Sequence, residues 1–334
     1  MTAIQQATIT EFGGDSPKRM PLNGIVRSER IGKGDRGEAS CEFETKTLRY
    51  YNLLDPRGYW LYHDHGDLGL WGGVIQQVRH DLSTGTTEVA AQTFESLLDA
   101  KRTAKTYEVA DGDAGGIAQK VIADSAKDGS AFIVGFRVAP TGLVDINLRS
   151  EQVVDAINQL STLADADWRV TPQRYFEFAP RIGTNRSTVV LQSGANIGAG
   201  SEIILDLSPI VNDLAAMTAV SEYTRRTAVV VKDDPSIEQI GQRQGSIVYP
   251  YLVKESALRP AAKKELQRLG RLGRAATIEV LNVNHIWSSF SVGDTVRLLI
   301  PSCNVDAYFR PTVRTWSSDD DKVFVTGEFS TVLT

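Results

Sequence analysis

Four side chains that could bind a metal or move a proton crowd into WLYHDHGDLGLWGG, residues 60–73: His63, Asp64, His65 and Asp67. Residues i and i+2 of a strand point to one side, so His63 and His65 could offer two nitrogens to one zinc ion. A zinc site needs further ligands and partners that orient them. The other histidines, His80 and His285, lie in unrelated sequence contexts. Asp, Gly and His also gather where chains turn, and Gly66-Asp67 is a hairpin signal. His-x-His is a common pattern. The expectation is a polar turn between two strands, with no metal bound.

The remaining candidates have structural explanations of the same kind. Asp111-Gly-Asp113 resembles a short cation motif, but it lacks the regular acidic positions and terminal Glu of an EF-hand loop. Asp113 is expected to cap a helix instead. Asp319-Asp320-Asp321 reads as a solvated hairpin tip. The glycine run SGANIGAGS, residues 193–201, has no Gly-Lys-Ser/Thr ending and leads into a strand at 203–207. A phosphate cradle needs a helix N-terminus or a nest, so a flexible connection is expected. GRLGR, 270–274, gathers arginines with Arg268. A nucleic-acid patch is one reading, and positive charge at a helix C-terminus is the favoured one. No Gly-x-Ser-x-Gly elbow occurs, and neither Cys41 nor Cys303 has a histidine near it in sequence. Carboxylate pairs are unavoidable among 41 acidic residues. Nothing assembles a nucleophile, base and oxyanion donors. No catalytic, cofactor-binding or metal-ligating residue is assigned, and no cofactor is expected.

The elements that would position these residues alternate in texture. Cys41, Phe43, Thr45 and Thr47 alternate with Glu42, Glu44 and Lys46. Strands at 70–78 and 86–93 flank a turn at 81–85, which suggests an antiparallel sheet or small barrel. Residues 114–127 carry Ile117, Val121 and Ile122 at helical spacing. Phe132, Val134, Phe136 and Val138 alternate, as do Val144, Ile146 and Leu148. Ser150 reads as the cap of a second helix, with the stripe Val153, Val154, Ile157, Leu160 and Ala164. Strands follow at 174–178 and 188–192, giving an α+β module. From Ser201 the chain is strand-like again, at 203–207, 215–223 and 226–232. DDPSIEQIGQRQG, with Ser236 as cap, and PAAKKELQRLGRLGR, with Pro260 near its start, form a helical excursion whose face is Ala262, Leu266 and Leu269. Strands resume at 278–283, 296–300 and 323–329.

The expected organisation is therefore α+β, mainly β. A first β unit spans 1–103 and an α+β module 104–200. A second β unit spans 201–235 and 275–334, split by a helical insertion at 236–274. The strands at 226–232 and 278–283 should be neighbours across about 45 residues, since closure entropy grows slowly with loop length.

Composition narrows the function class. Hydrophobic content of 42% and charged content of 23% in 334 residues are ordinary for a globular protein with more than one core. No run of about 18 apolar residues exists to span a membrane as a helix. The first twenty residues have no apolar signal region. Two distant cysteines make no disulfide framework and fit a reducing site of synthesis. A net charge of −5 argues against a protein that coats DNA.

The module order and four segments resemble the tail hub proteins of bacteriophages. The first is YWLYHDHGDLGLWGGVIQQVRHD, similar to the family's strand–turn–strand ending in Trp-x-Gly-x-Ile, followed by the hairpin DLSTG. The second is DAINQLSTLADADWRVTPQRYFEFAP, similar to its helix, Trp-containing strand, turn and aromatic strand. In the third, LDLSPIVNDLAAMTAV, Asn212 begins the family's second barrel. The fourth is DDPSIEQIGQRQG, which opens an insertion, with SVGDTVRLLI returning the chain to the barrel. The hub of type VI secretion spikes is a more distant relative. The chain departs from the family in having few of the aligned glycines and tryptophans. It also ends at Thr334, soon after the second barrel.

The resemblance implies two small β-barrels per chain with an α+β module between them and a helical insertion in the second. It implies a homotrimeric ring that adapts a sixfold tail tube to a threefold tip. The implied partners are a distal tail ring protein, the C-terminus of the tape measure protein, and tip spike, fibre or receptor-binding proteins. The chain would be made in the host bacterial cytoplasm and reside at the virion tail tip without membrane insertion. DNA would pass through its lumen without sequence-specific binding. His63-Asp64-His65 then falls in a barrel turn with Trp60 and Trp71 packing. Two other classes compete: a cell-wall glycan hydrolase built on a carboxylate pair or on His63 and His65, and a carbohydrate-binding tail module with Trp60, Trp71 and Trp287 as stacking platforms.

Overall fold

The computed structural model describes residues 6–11, 18–31, 36–50, 58–126, 132–205, 210–218, 227–249, 255–270 and 274–331. The fold is α+β and mainly β. Its largest element is a sheet of 13 strands. Among the described residues no sheet closes into a barrel.

Strand Gly24–Arg30 sits at the middle of this sheet. On one side follow Glu38–Glu44, Thr86–Thr93, Gly69–Asp81, Tyr59–His65, Gln6–Glu11 and Lys18–Pro21. On the other side follow Val305–Ser317, Lys322–Thr331, Arg274–Val280 and Glu202–Leu205. Thr295–Ile300 also pairs with Val305–Ser317 and takes Asn185–Gln192 in parallel. The N-terminal and C-terminal β regions are thus continuous. They meet in the antiparallel register Val313↔Arg30 to Ser317↔Val26. One core runs through both, with Ile25, Phe43 and Trp71 from the first and Ile278, Phe309 and Trp316 from the second.

Alternation drives these strands. In EASCEFE, Ala39, Cys41 and Phe43 are buried, and Glu38, Glu42 and Glu44 are exposed. The strand expected to reach Thr47 stops at Glu44, because Thr45–Tyr50 turns into a short helix. Thr45 N–H is taken by the Gly85 carbonyl of the neighbouring turn at 2.9 Å. That turn forms at 82–85 as expected, with Asp81 Oδ1 accepting from Ser83 N–H at 2.8 Å.

The α+β module carries helices Ala114–Ser125 and Val153–Ala164 against two small sheets, Tyr107–Asp113 with Leu143–Leu148, and Asp167–Val170 with Tyr175–Ala179 and Gly135–Val138. The expected stripe Val153, Val154, Ile157, Leu160 and Ala164 is buried. It shares a core with Trp168, Phe176 and Phe178, and with Trp60 and Phe94 of the first β region. Asp113 caps its helix as expected, accepting from Gly116 N–H at 2.7 Å. Ser150 does not cap the second helix. It lies at φ +52°, Gln152 holds the cap position, and the Val153 N–H is satisfied by the Lys101 carbonyl at 2.9 Å.

The excursion differs most from expectation. Strands at 226–232 and 278–283 are not neighbours. Ala228–Lys232 joins Asp213–Thr218 and Gln244–Tyr249 in a separate three-stranded sheet, whereas Arg274–Val280 belongs to the large one. The reason is the helix Glu255–Leu269. Its buried Leu258, Ala262 and Leu266 need an apolar sheet face, and Leu214, Ala216, Val229 and Val231 supply it. The strand that meets Arg274–Val280 across the excursion is Glu202–Leu205. Residues 206–207, 219–223 and 226 of the expected strands lie outside the described residues. Asn212 therefore enters this lobe rather than the large sheet. Its buried amide accepts from Arg243 N–H at 2.7 Å and donates to the Gly241 carbonyl at 2.8 Å. The cap of helix Asp234–Ile240 is Asp233, not Ser236, whose N–H donates to it. Pro260 falls inside the long helix, because the helix extends back to Glu255.

Candidate functional site

His63 and His65 stand on strand Tyr59–His65, and the turn is confined to 66–68. Their side chains do share a face, but that face is the core and not solvent, so the expected polar turn is corrected. This strand lies against the join between Gly24–Arg30 and Val305–Ser317, since both histidine rings meet Trp316 and the His63 carbonyl meets Arg27. His63 is 2% exposed, and its ring stacks on Trp316 with centroids 5.4 Å apart and planes 17° from parallel. The His65 ring lies 4.8 Å from the same indole. Among the described residues neither buried Nδ1 atom has a hydrogen-bond partner. Among the described residues no three His, Cys, Asp or Glu side chains converge as a metal set.

Two buried arginines complete the cluster. Arg27 donates to the carbonyls of His63 at 2.9 Å and Gly69 at 3.0 Å, and its guanidinium lies 5.8 Å from the Trp316 ring. Arg314 donates to the carbonyls of Phe290 at 3.1 Å and Leu68 at 3.2 Å and to Glu29 Oε2 at 2.8 Å. Carbonyl acceptors let a guanidinium enter a core without losing its hydrogen bonds. Burial lowers Arg27 to about 10. Burial first, then Arg27, lowers His63 to about 3 and His65 in the same direction. Both imidazoles are neutral at pH 7.

The tryptophans act as struts. Trp71 Nε1 donates to the Ser28 carbonyl at 2.9 Å, Trp287 to the Val280 carbonyl at 2.7 Å and Trp316 to Asp321 Oδ1 at 3.1 Å. Trp60 packs edge-on to Phe94 under the Arg174 guanidinium. Trp60, Trp71 and Trp287 are all buried, so none presents a face for a sugar. The turn adds a long-range link that sequence distance concealed: Asp67 accepts from Asn282 Nδ2 at 2.7 Å and meets His285 Nδ1 at 3.2 Å.

The other candidates resolve into local structure. Residues 193–201 are a built clamp and not a flexible connection. Gly198 N–H donates to the Glu279 carbonyl at 2.8 Å, and Gly200 N–H to Glu279 Oε2 at 2.6 Å. The Gly200 bond first, then Lys322 at 3.1 Å, hold the Glu279 carboxyl below the usual carboxylate range. Asp113 also accepts from Thr141, and Asp111 donates its N–H to Asp145. Asp319-Asp320-Asp321 lies at the hairpin tip, as expected. Arg268 is held by Glu265 at 2.7 Å, and 271–273 of the arginine cluster lie outside the described residues. A surface cleft of about 420 Å³ is lined in part by Glu42, Asp81, Glu88 and Asp319, with Arg79. It holds no cysteine or histidine. Sequence reasoning missed Arg27 and Arg314, whose only signal is a charged residue at an inward position of an otherwise alternating strand.

No protein-family model matches the chain. No curated protein matches it. Solved structures do. A 43 kDa tail protein of prophage MuSo2 from Shewanella oneidensis superposes with a TM-score of 0.71 at 13% identity, covering 98% of each chain. A tail protein from Neisseria meningitidis MC58 gives 0.65 at 15% identity, over 97% of this chain and 96% of that one. An E. coli type VI secretion component, itself similar in structure to the T4 tail proteins gp27 and gp5, gives 0.57 at 11% identity. That match covers 97% of this chain and 76% of the other. Over nearly its whole length, the chain has the fold of bacteriophage tail proteins, with a type VI secretion component as a further structural neighbour.

Proposed function

We propose that the chain is a structural component of a phage tail and acts as the hub of its tip or baseplate. The carrying observation is the superposition of nearly the entire chain on whole tail proteins. A likeness that includes the α+β module and the lobe extends beyond a shared sheet motif. The internal chemistry supports the reading. The charged side chains at the join are satisfied by backbone carbonyls and by one another, which suits a part that holds shape. The glycan-binding reading loses its aromatic platforms.

The proposed hub is a homotrimer. Its two β regions, the counterparts of the two barrels of the hub family, would alternate around the ring to present six similar units to a sixfold tube and three to the tip. Among the described residues, Lys18–Pro21 and Glu202–Leu205 end the sheet, and such edges are where a neighbouring chain would add. The ring would dock a distal tail ring protein, receive the end of the tape measure protein and carry a spike, fibre or receptor-binding protein. The proposal assigns it no catalysis, no cofactor and no metal. Mass photometry of the purified chain tests the assembly: a particle of three chains is expected, and a stable dimer or hexamer would overturn the hub reading. Elemental analysis of chelator-free protein tests the second part. Stoichiometric zinc that disappears in the His63→Ala, His65→Ala double variant would restore the hydrolase.

A further inference from the structure

We propose that the join between Gly24–Arg30 and Val305–Ser317 is an acid-sensitive latch, which protonation of His63 and His65 opens while the rest of the fold stays intact. Among the described residues, five register pairs, Val313↔Arg30 to Ser317↔Val26, and the flanking bonds from Ile31 N–H to the Thr312 carbonyl and from Ser318 N–H to the Ile25 carbonyl couple the two β regions by backbone pairing. The inner side of that short ladder is lined by Arg27 and Trp316, which are direct cross-strand partners, and by Arg314 opposite Glu29. Against it lie two imidazoles whose Nδ1 atoms are buried and, among the described residues, unpartnered. His63, His65 and Arg27 all face the one indole of Trp316, at 5.4, 4.8 and 5.8 Å.

A proton on either ring would create a second or third cation against that indole, in surroundings that already hold two guanidiniums. The facing charges are Arg27 and Glu29 from the first strand and Arg314 from its partner. Asp64 lies on the histidines' own strand, Asp67 in the turn that follows and Asp321 in the far hairpin. Glu29 is already engaged by Arg314, Asp321 by Trp316, and Asp67 by Asn282 and His285. Asp321, Asp67 and Asp64 favour a proton on His65, but burial and the Arg27 guanidinium outweigh them.

The sign follows from linkage. Released imidazoles take up protons from about pH 6.5 downward, whereas His63 in the closed join resists until about 3. Between these values the open state binds more protons, so opening is favoured progressively as pH falls. The closed join is fully stable above pH 6.5. One such proton shifts the opening equilibrium about tenfold per pH unit.

Hydrogen exchange of the full chain at pH 7, 6 and 5, corrected for the intrinsic rate, tests the latch. Protection in 24–30 and 313–317 should fall about tenfold per pH unit below 6.5, while 86–93 and 153–164 keep theirs. A His63→Phe, His65→Phe double variant, which keeps aromatic stacking without a titrating group, should lose the pH dependence at the join. Unchanged protection at the join, loss of all regions together, or the same pH dependence in the variant would each overturn the proposal. If the double variant does not fold, ring NMR of the wild-type histidines decides. Rings that protonate in step with opening support the latch, and rings that stay neutral while the join opens contradict it.

Discussion

Arg314 illustrates what a buried charge does here. It ties Glu29 of one β region to the carbonyls of Leu68 and Phe290 in two different loops. Removing it strands these acceptors in the core, and breaking a buried pair costs about 3–5 kcal/mol. Arg314→Met should therefore lower the urea midpoint with little change in m, and a midpoint equal to wild type would contradict the account. Gly198 is a different kind of constraint. A Cβ there would lie 2.5 Å from the Glu279 carboxyl, so Gly198→Ala should destabilise by about 1–3 kcal/mol. Calorimetry would show this as a lower Tm, whereas the flexible connection first expected for 193–201 would leave Tm unchanged. At this scale the sequence was readable where one residue acts on its immediate neighbours, as Asp113 does on Gly116. It was opaque where partners lie far away, as for Asp67 with Asn282 and His63 with Trp316.

Among elements, periodicity located the strands Thr86–Thr93 and Leu143–Leu148 and the stripe of Val153–Ala164. The longest strand of the C-terminal region, Val305–Ser317, escaped it. Pro311 reads as a breaker, and the alternation Ala307, Phe309, Pro311 shifts by one before Arg314 and Trp316. The structure places that shift at a bulge between Pro311 and Val313, where the ladder tolerates proline. Opposite it, a Cβ on Gly327 would lie 2.0 Å from the Arg310 carbonyl, so only glycine fits. The lobe was misplaced for another reason. Alternation marked the strand Ala228–Lys232, but alternation carries no information on which sheet a strand joins. The helix Glu255–Leu269 decided that by needing a face to cover. Leu266→Ala should then cost about 2–5 kcal/mol within the lobe. Hydrogen exchange should show lost protection in 213–218 and 228–232 with 322–329 unaffected, and a uniform loss throughout would mean that the lobe has no core of its own.

The whole molecule is two β regions fused edge to edge, with a module and a lobe attached, and its proposed task follows from that continuity. A ring that must match two symmetries needs protomers whose two β regions keep a fixed relation, and a shared core with buried arginines at the join supplies one. Image reconstruction of intact tails that contain this chain measures the central claim most directly. The account predicts three copies at the distal end of the tube, with both β regions of every copy lining one closed ring. Six copies, a ring that uses only one β region per chain, or a position outside the tube axis would contradict it.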